Sequence, residues 1–385
     1  MRFIKETVIS ILIISLFLFN STVLSSIFVF GVLIILTLLS LKSILYKNIF
    51  SIKLFLLYSF LLTFLVNVNQ HIVLSEYIRY ISLLILFLIF PLNVDIKNKV
   101  LIKLIFITGI LIFISQLGSA FGIQPINALI QRFYPIDLNI WESQSIESLR
   151  GLSEYGSFRR FGGIYYNPNI MGQNIVLWCI LFISIVETNK LQIPQHKLYI
   201  IGSYSITSLS VIMSGSRTAM AVFAAFLLLK YYHLIKEKKI LIFPIIILVL
   251  AISYKFLSEL RIFQISSAIT SPEGSVNIKF NILKNWWSSR LSESSILNIL
   301  FGDFDLGVHF DADLGYMLSY FGIIGVSSIL LYFSKIFYLL KNKRYNYSIF
   351  LIGFGATVIM NYRFSIIALL LLSVAYRSLN KKEFI

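Results

Sequence analysis

Runs of apolar residues alternate with polar segments along the chain, and we read these runs as helices that cross a membrane. A crossing helix needs about 20 such residues. The first run, residues 7–41, would measure roughly 50 Å as one helix, too long for a single crossing, and it is interrupted at Asn20-Ser21. We therefore predict a helical hairpin there. Further spans are predicted at residues 50–66, 77–92, 100–121, 169–186, 198–213, 218–233, 240–256, 314–337, 347–360 and 364–378.

Two polar segments, residues 122–166 and 257–313, are much longer than the other connections. The pattern predicts an all-α, polytopic membrane protein in which residues 1–385 form a single integral membrane domain. That domain would have about twelve transmembrane helices and two long loops. Composition agrees, because 58% of the residues are hydrophobic and only 13% are charged, whereas a soluble domain has about 25% charged residues.

The charges predict the orientation of the spans. If the N-terminus is cytoplasmic and the spans alternate, 21 of the 33 basic residues but only 5 of the 17 acidic residues fall at the inner ends. The whole net charge of +16 then lies on the inner face, as the positive-inside rule requires. Both termini are thus predicted to be cytoplasmic and both long loops outer. The excess positive charge indicates contact with anionic membrane lipids, not with nucleic acid.

Basic side chains also recur in the outer segments. Residues 159–172 read R-R-F-G-G-I-Y-Y-N-P-N-I-M-G. Arg159 and Arg160 could bind phosphates or a carboxylate through forked hydrogen bonds, or simply contact anionic lipid. Asn169 belongs to an Asn-Pro-Asn sequence that opens a span, so it is a candidate for substrate binding and equally for helix capping.

Residues 214–218 read S-G-S-R-T and separate two predicted spans. Arg217 then stands at the N-terminal end of a helix, where the helix dipole also favours an anion. The alternative is an arginine that anchors the helix by reaching the lipid headgroups.

The second outer loop contains S-V-N-I-K-F-N-I-L-K-N-W-W-S-S-R at residues 275–290. Lys279 and Arg290 accompany two tryptophans, a pattern typical of an amphipathic helix lying at the membrane surface. The two basic residues are candidates for substrate binding. The alternative is a helix with a purely mechanical role.

The same loop ends in H-F-D-A-D-L-G-Y at residues 309–316. Asp311 and Asp313 could cap the next span, pair with an arginine or act as a base, and His309 can accept a proton near neutral pH. The spacing of the two aspartates also fits a metal that serves a nucleotide diphosphate. Nucleotide sugars are not expected outside the membrane, so no metal and no cofactor are predicted.

Taken together, these motifs resemble those of the O-antigen polymerase and O-antigen ligase superfamily. The shared features are R-x-G-G-x-x-x-N-P-N-x-x-G, S-x-S-R-T at a tight outer turn, and a large loop that ends in F-G before D-A-D-L-G-Y-x-x-x-x-F-G-I-I-G. The resemblance covers residues 150–330. It implies a GT-C-like membrane glycosyltransferase that needs no metal and acts on the outer face of the bacterial cytoplasmic (inner) membrane. It also implies polyprenyl-diphosphate-linked glycans as substrates and a chain-length regulator protein as a partner.

One departure from the family pattern bears on the activity. Ligases commonly carry a His-Asn pair at a position that Asp311-Ala312 occupies in this chain. The departure favours a polysaccharide polymerase, with a ligase as the first alternative and a flippase or exporter as the second. In the expected reaction Arg217, with Lys279, Arg159 and Arg160, neutralises the donor diphosphate. Asp311, Asp313 or His309 orients or deprotonates the acceptor hydroxyl.

Overall fold

The computed structural model describes residues 2–18, 23–39, 50–67, 81, 84–85, 87–89, 96–133, 153–155, 158–165, 168–189, 193, 195–237, 281, 284–285, 288, 296–302 and 313–339. Regular structure in these ranges is helical, apart from one short pair of antiparallel strands. The helices are α1 (Arg2–Leu18), α2 (Val23–Leu39), α3 (Phe50–Asn67), α4 (Lys99–Phe121), α5 (Gln124–Phe133), α6 (Pro168–Thr188), α7 (His196–Ser214), α8 (Arg217–Glu237), α9 (Ile296–Phe301) and α10 (Asp313–Leu339). The strands are β1 (Ser153–Tyr155) and β2 (Phe158–Arg160), and a 3₁₀ turn covers Gly163–Tyr165.

The predicted helix positions are confirmed wherever the structure describes them. The break at Asn20-Ser21 falls between the end of α1 and the start of α2. Six further helices, α3, α4, α6, α7, α8 and α10, begin and end within a few residues of predicted spans, whereas α5 and α9 lie in the two predicted long loops. The six described residues of the span at 77–92 are helical. The spans predicted at 240–256, 347–360 and 364–378 lie outside the described residues, so the count of about twelve stays a prediction.

Within the described part of the chain, three helices are long and apolar enough to cross a membrane: Phe50–Asn67, Lys99–Phe121 and Ile170–Thr188. Their side chains are arranged as expected for a membrane protein. On α3 the polar residues Ser59, Thr63 and Asn67 are buried, whereas Tyr58 and Leu65 are more than 60% exposed. A helix in water would place these residues the other way round, so the apolar exposed face indicates contact with lipid.

Helix α6 is the centre of the described core. Most of its side chains are buried, and it packs against α4, α7 and α8. The indole of Trp178 donates a hydrogen bond of 3.0 Å to the Ile105 carbonyl of α4 and stacks on Phe182. Gly109 leaves the room for this indole on α4, because a Cβ there would overlap the ring.

The first long loop is not irregular throughout, which the apolar pattern did not predict. Gly122 adopts a left-handed conformation (φ 63°) and ends α4. This turn lets α5 fold back, so that Ile126 packs against Gly118. Helix α5 is only 10 residues long and is amphipathic, with Ile126, Leu129 and Ile130 at helical spacing, so it has no long apolar run that would mark it as a membrane span.

The helix ends fall into two groups, and the ends within each group are joined by hydrogen bonds. In the first, the Glu6 carboxylate near the start of α1 accepts hydrogen bonds from the backbone of Lys97 and Asn98, which precede α4. The Asn189 amide, just past α6, donates to the Ile96 carbonyl.

In the second group, the Tyr165 hydroxyl, shortly before α6, donates to the Phe17 carbonyl at the end of α1. Gln116, near the end of α4, donates to the Ser210 carbonyl near the end of α7. Of these helices, α1, α4 and α7 thus run in one direction and α6 in the other, which agrees with the predicted order of the spans. That the second group lies on the outer face stays a prediction from the charge pattern.

Candidate functional site at the helix ends

The S-G-S-R-T segment forms a tight turn between α7 and α8. Gly215 is left-handed (φ 56°), and its N–H donates to the Ile212 carbonyl at 3.0 Å, which ends α7. The Ser216 hydroxyl accepts a weak hydrogen bond of 3.4 Å from the N–H of Ala219. Ser216 is therefore the N-cap of α8 and Arg217 its first residue. Arg217 thus lies where the unpaired N–H groups and the helix dipole favour an anion.

The first turns of α6 pack directly on this turn. Gly172 makes the close approach possible, because a Cβ there would lie 2.7 Å from Ser214 Oγ and 2.9 Å from Ser216 Cβ. Pro168 is the first residue of α6, as the Asn-Pro-Asn sequence predicts, and Asn169 is the second. The backbone of Asn169 is therefore within one helical turn of the contact with the S-G-S-R-T turn.

The Arg-Arg sequence lies in a short β-ribbon that ends on the same helix ends. Strand β2 pairs with β1 in antiparallel register, with Arg159 opposite Glu154 and Arg160 opposite Ser153. The next residue, Phe161, donates its N–H to the Met213 carbonyl in the last turn of α7 at 3.1 Å. The backbone of Arg160 is thereby fixed beside the turn that leads to Arg217.

Polar side chains of α4 hold the segment that follows the ribbon. The Gln116 amide, which is 0% exposed, donates to the Phe161 carbonyl and to the Ser210 carbonyl, at 3.0 Å each. The Ser115 hydroxyl accepts from the N–H of Ile164 at 3.3 Å. Gly163 has a left-handed backbone (φ 54°), and a Cβ at this position would overlap the Ser115 hydroxyl. We call residues 159–163, 168–172 and 213–219, with Ser115 and Gln116, the helix-end cluster.

A second site joins α3, α9 and α10. Gly322 interrupts α10 with φ 61° and ψ −174°, and a Cβ on it would lie 2.5 Å from the Leu300 carbonyl carbon and closer still to the Gly302 nitrogen. Gly302 is itself left-handed (φ 78°). The buried amide of Asn67, at the end of α3, donates to the Gly302 carbonyl at 3.0 Å and to the Thr63 carbonyl at 2.8 Å. We call Gly302, Gly322 and Asn67 the glycine junction.

The structure brings four of the predicted site residues together by their backbone positions: Arg159, Arg160, Asn169 and Arg217. Asp313 is placed as the first residue of α10, nine residues before the glycine junction. The remaining predicted residues lie outside the described part of the chain: His309, Asp311, Lys279 and Arg290. In the predicted surface helix at 275–290, the described residues 281, 284, 285 and 288 are helical and exposed. The Ser288 hydroxyl there donates to the Lys284 carbonyl.

Two residues important to these sites were not singled out by the sequence patterns. Gln116 and Asn67 are amides in apolar helices, and both donate to a distant backbone carbonyl. An amide inside a membrane helix is costly unless it has a partner. That rule marks both residues as candidates, but it does not identify the partners.

No protein-family model, curated protein or solved structure matches this chain. The likeness of its motifs to the polymerase and ligase superfamily therefore stays a prediction. The helix-end cluster and the glycine junction are the features from which a function can be inferred.

Proposed function

We propose that this protein is a polysaccharide polymerase that joins polyprenyl-diphosphate-linked oligosaccharide repeat units on the outer face of the bacterial cytoplasmic membrane. The observation that supports this best is the helix-end cluster. It gathers the backbone of Arg159, Arg160, Asn169 and Arg217 from two separate motifs at one set of helix ends. A diphosphate at a membrane surface is the kind of group that such a collection of arginines and a helix N-terminus would bind.

Arg217 is the leading candidate for stabilising the leaving group. An arginine is always charged, and its planar fork matches phosphate oxygens. During transfer, the bond between the anomeric carbon and the diphosphate oxygen breaks, and its electron pair stays on the diphosphate. Negative charge on that oxygen is therefore largest in and after the transition state. A fixed cation at this position lowers the barrier more than it strengthens ground-state binding.

The ribbon and the second loop supply further cations. Arg159 and Arg160 are consecutive register positions of β2, and such positions belong to opposite faces of a ribbon. We therefore assign one of them to the donor diphosphate and the other to a neighbouring anionic group, such as the acceptor diphosphate. Lys279 and Arg290 would approach from the second loop, and Asn169 would hydrogen-bond the glycan.

We assign activation of the acceptor hydroxyl to the titratable residues at and just before the start of α10. A hydroxyl of the acceptor sugar attacks the anomeric carbon, and its proton passes to Asp311, Asp313 or His309. One direct displacement inverts the configuration at that carbon and needs no nucleotide or metal. Asp313, as the first residue of α10, would act from a helix end that the glycine junction holds in place.

The positions of buried charges favour an enzyme over an exporter. A polysaccharide exporter would be expected to bury charged side chains midway along its spans, around the path of the cargo. Among the described residues, the buried charged side chains Glu6 and Lys53 lie within the first turns of α1 and α3. These two charges lie at the helix ends that the charge pattern assigns to the inner face, so none of the described buried charges lines a path midway along a span.

The decisive experiment deletes the gene in its native host and analyses the surface polysaccharide on a gel. Loss of the ladder, with one repeat unit still on its final acceptor, supports the polymerase. Full-length polymer retained on the carrier lipid would instead identify a ligase. Failure of the lipid-linked sugar to reach the outer leaflet would identify an exporter.

Complementation of that strain with Arg217→Ala tests the assigned role. We expect long polymer to fall on the order of 100-fold or more, the usual effect of removing one transition-state donor, with the protein still in the membrane fraction. Arg217→Lys is the matched control. It keeps the charge but loses the fork, so it should retain part of the activity. Polymer of normal length from Arg217→Ala would refute the assignment.

A further inference from the structure

The segment between the β-ribbon and α6 is held unusually firmly at Phe161. Its N–H donates directly to the Met213 carbonyl of α7, at 3.1 Å. Its carbonyl accepts from the Gln116 amide, which also donates to the Ser210 carbonyl of α7. The N–H of Phe161 is therefore bonded to the end of α7 directly, and its carbonyl is linked to the same helix end through Gln116.

The geometry uses both hydrogens of the Gln116 amide. Each is directed to a backbone carbonyl at 3.0 Å, one in the loop and one in α7. Leucine or methionine would fill a similar volume without the cost of burying an amide in an apolar helix. Gln116 is fully buried, and its carbonyl oxygen has no hydrogen-bond partner in the described part of the molecule. The donors, not the acceptor, therefore account for an amide at this position.

We propose that Gln116 is a positioning residue that sets the distance between Arg160 and Arg217. Arg160 immediately precedes Phe161, and Arg217 follows Met213 by four residues, so the Phe161–Met213 contact joins the two arginine-bearing segments. The inference rests on the proposed polymerase function, since it assigns Gln116 to the alignment of the cations that would receive the diphosphate. Gln116 acts through these residues and does not itself touch the substrate.

The variant that tests this is Gln116→Met, which keeps the chain length and removes both donors. Gln116→Asn is a second variant. It keeps the amide on a shorter side chain that cannot span both carbonyls. Gln124→Met is the matched control, because Gln124 is an exposed residue at the start of α5, in the same loop. All three are compared at equal amounts of protein in the membrane fraction.

The separation of the two arginine-bearing segments is probed without reference to activity, at the two positions whose backbones are hydrogen-bonded. Cysteines are placed at positions 161 and 213, both partly exposed, and are joined with a short thiol-specific crosslinker in whole cells. The one natural cysteine, Cys179, is fully buried, and the otherwise unaltered protein serves as the background control. We expect Gln116→Met to lower the crosslinking yield about tenfold, as the loss of buried hydrogen bonds implies, and Gln124→Met to leave it unchanged.

The same cells report on polymer. At equal amounts of protein in the membrane fraction, Gln116→Met should shorten or abolish the polymer, and crosslinking positions 161 and 213 should restore it in part. An unchanged crosslinking yield would overturn the proposal, and so would a reduced yield with normal polymer. If deletion of the gene leaves the polysaccharide unchanged, the polymerase function fails, and with it the inference that Gln116 aligns the arginines for that reaction. The crosslinking yield then still decides whether Gln116 holds the segment.

Discussion

The helix-end cluster and the glycine junction each hold a loop against an apolar helix, but they do so by different contacts. The cluster does so with hydrogen bonds between side chains and the backbone: Gln116 donates to a carbonyl, and the Ser115 and Ser216 hydroxyls accept from N–H groups. The junction does so mainly by leaving out side chains, so that Gly322 can touch the backbone of Leu300 and Gly302. A hydrogen-bonded contact can weaken by degrees, whereas a contact that depends on a missing Cβ admits no larger residue. We therefore expect substitutions in the junction to be the more damaging.

The largest effect on stability is expected from Gly322→Ala. Its φ of 61° and ψ of −174° are nearly exclusive to glycine, and a Cβ would overlap the Gly302 backbone. We expect a loss of about 3 kcal/mol or more in the free energy of unfolding, measured on purified protein in detergent. Gly31→Ala is the control, since a Cβ at Gly31 meets nothing within 4 Å. Equal stability of the two variants would contradict the proposed close contact.

Asn67 and Asn189 do not contact each other but make the same kind of contact, one at the predicted outer end of α3 and the other at the predicted inner end of α6. Each amide donates to the carbonyl four residues earlier and to a distant carbonyl, that of Gly302 for Asn67 and that of Ile96 for Asn189. Substitution by alanine should lower the free energy of unfolding by about 1–3 kcal/mol in either case. Only Asn67→Ala should also reduce polymer, because Asn67 alone supports the end where Asp313 begins α10. A greater loss of polymer from Asn189→Ala would reverse the assignment of the two ends.

Gly172→Ala is the cluster's counterpart to Gly322→Ala and should be milder. Its Cβ would meet the Ser214 hydroxyl and the Ser216 and Ala219 Cβ atoms, at 2.7 to 2.9 Å. Because α6 is regular at Gly172, we expect a loss of only about 1–2 kcal/mol in the free energy of unfolding. Gly202→Ala is the control. Its Cβ would meet one ring atom of Phe106 at 2.9 Å and no backbone or hydroxyl group, so we expect its loss of stability to be smaller than that of Gly172→Ala.

The smallest effect is expected from Ser216→Ala, which removes the N-cap of α8. Such changes cost about 1 kcal/mol, and here the cap precedes Arg217. Polymer should fall a few-fold at unchanged membrane content. Ser119→Ala, which removes a hydroxyl bonded to its own helix at the Ser115 carbonyl, should leave polymer unchanged. If Ser216→Ala has no effect on polymer, the exact start of α8 does not matter for the reaction.

Local patterns predicted the helices well. The α1–α2 break, Pro168 at the start of α6 and Gly215 at the end of α7 depend on residues that are close together in the chain. Apolar length, capping and left-handed glycines act over a few residues, so one sequence is sufficient to place them. The short helix α5 is amphipathic and has no long apolar run, so the pattern of membrane spans did not predict it.

The sequence by itself determined an apolar, helical chain, and the distribution of its charges predicted an inner and an outer face. It also marked the arginines of the predicted outer face as candidates for binding an anion. Only the tertiary structure decided that the loop after Arg160 returns to Met213, that Gly172 packs on Ser216, and that Gly302 meets Gly322. These contacts join residues that are distant in the chain, 94 positions apart for Gln116 and Ser210. They depend on how the helices pack around α6. A polar side chain in an apolar helix indicates that a hydrogen-bond partner must exist, but the sequence does not show which residue that partner is.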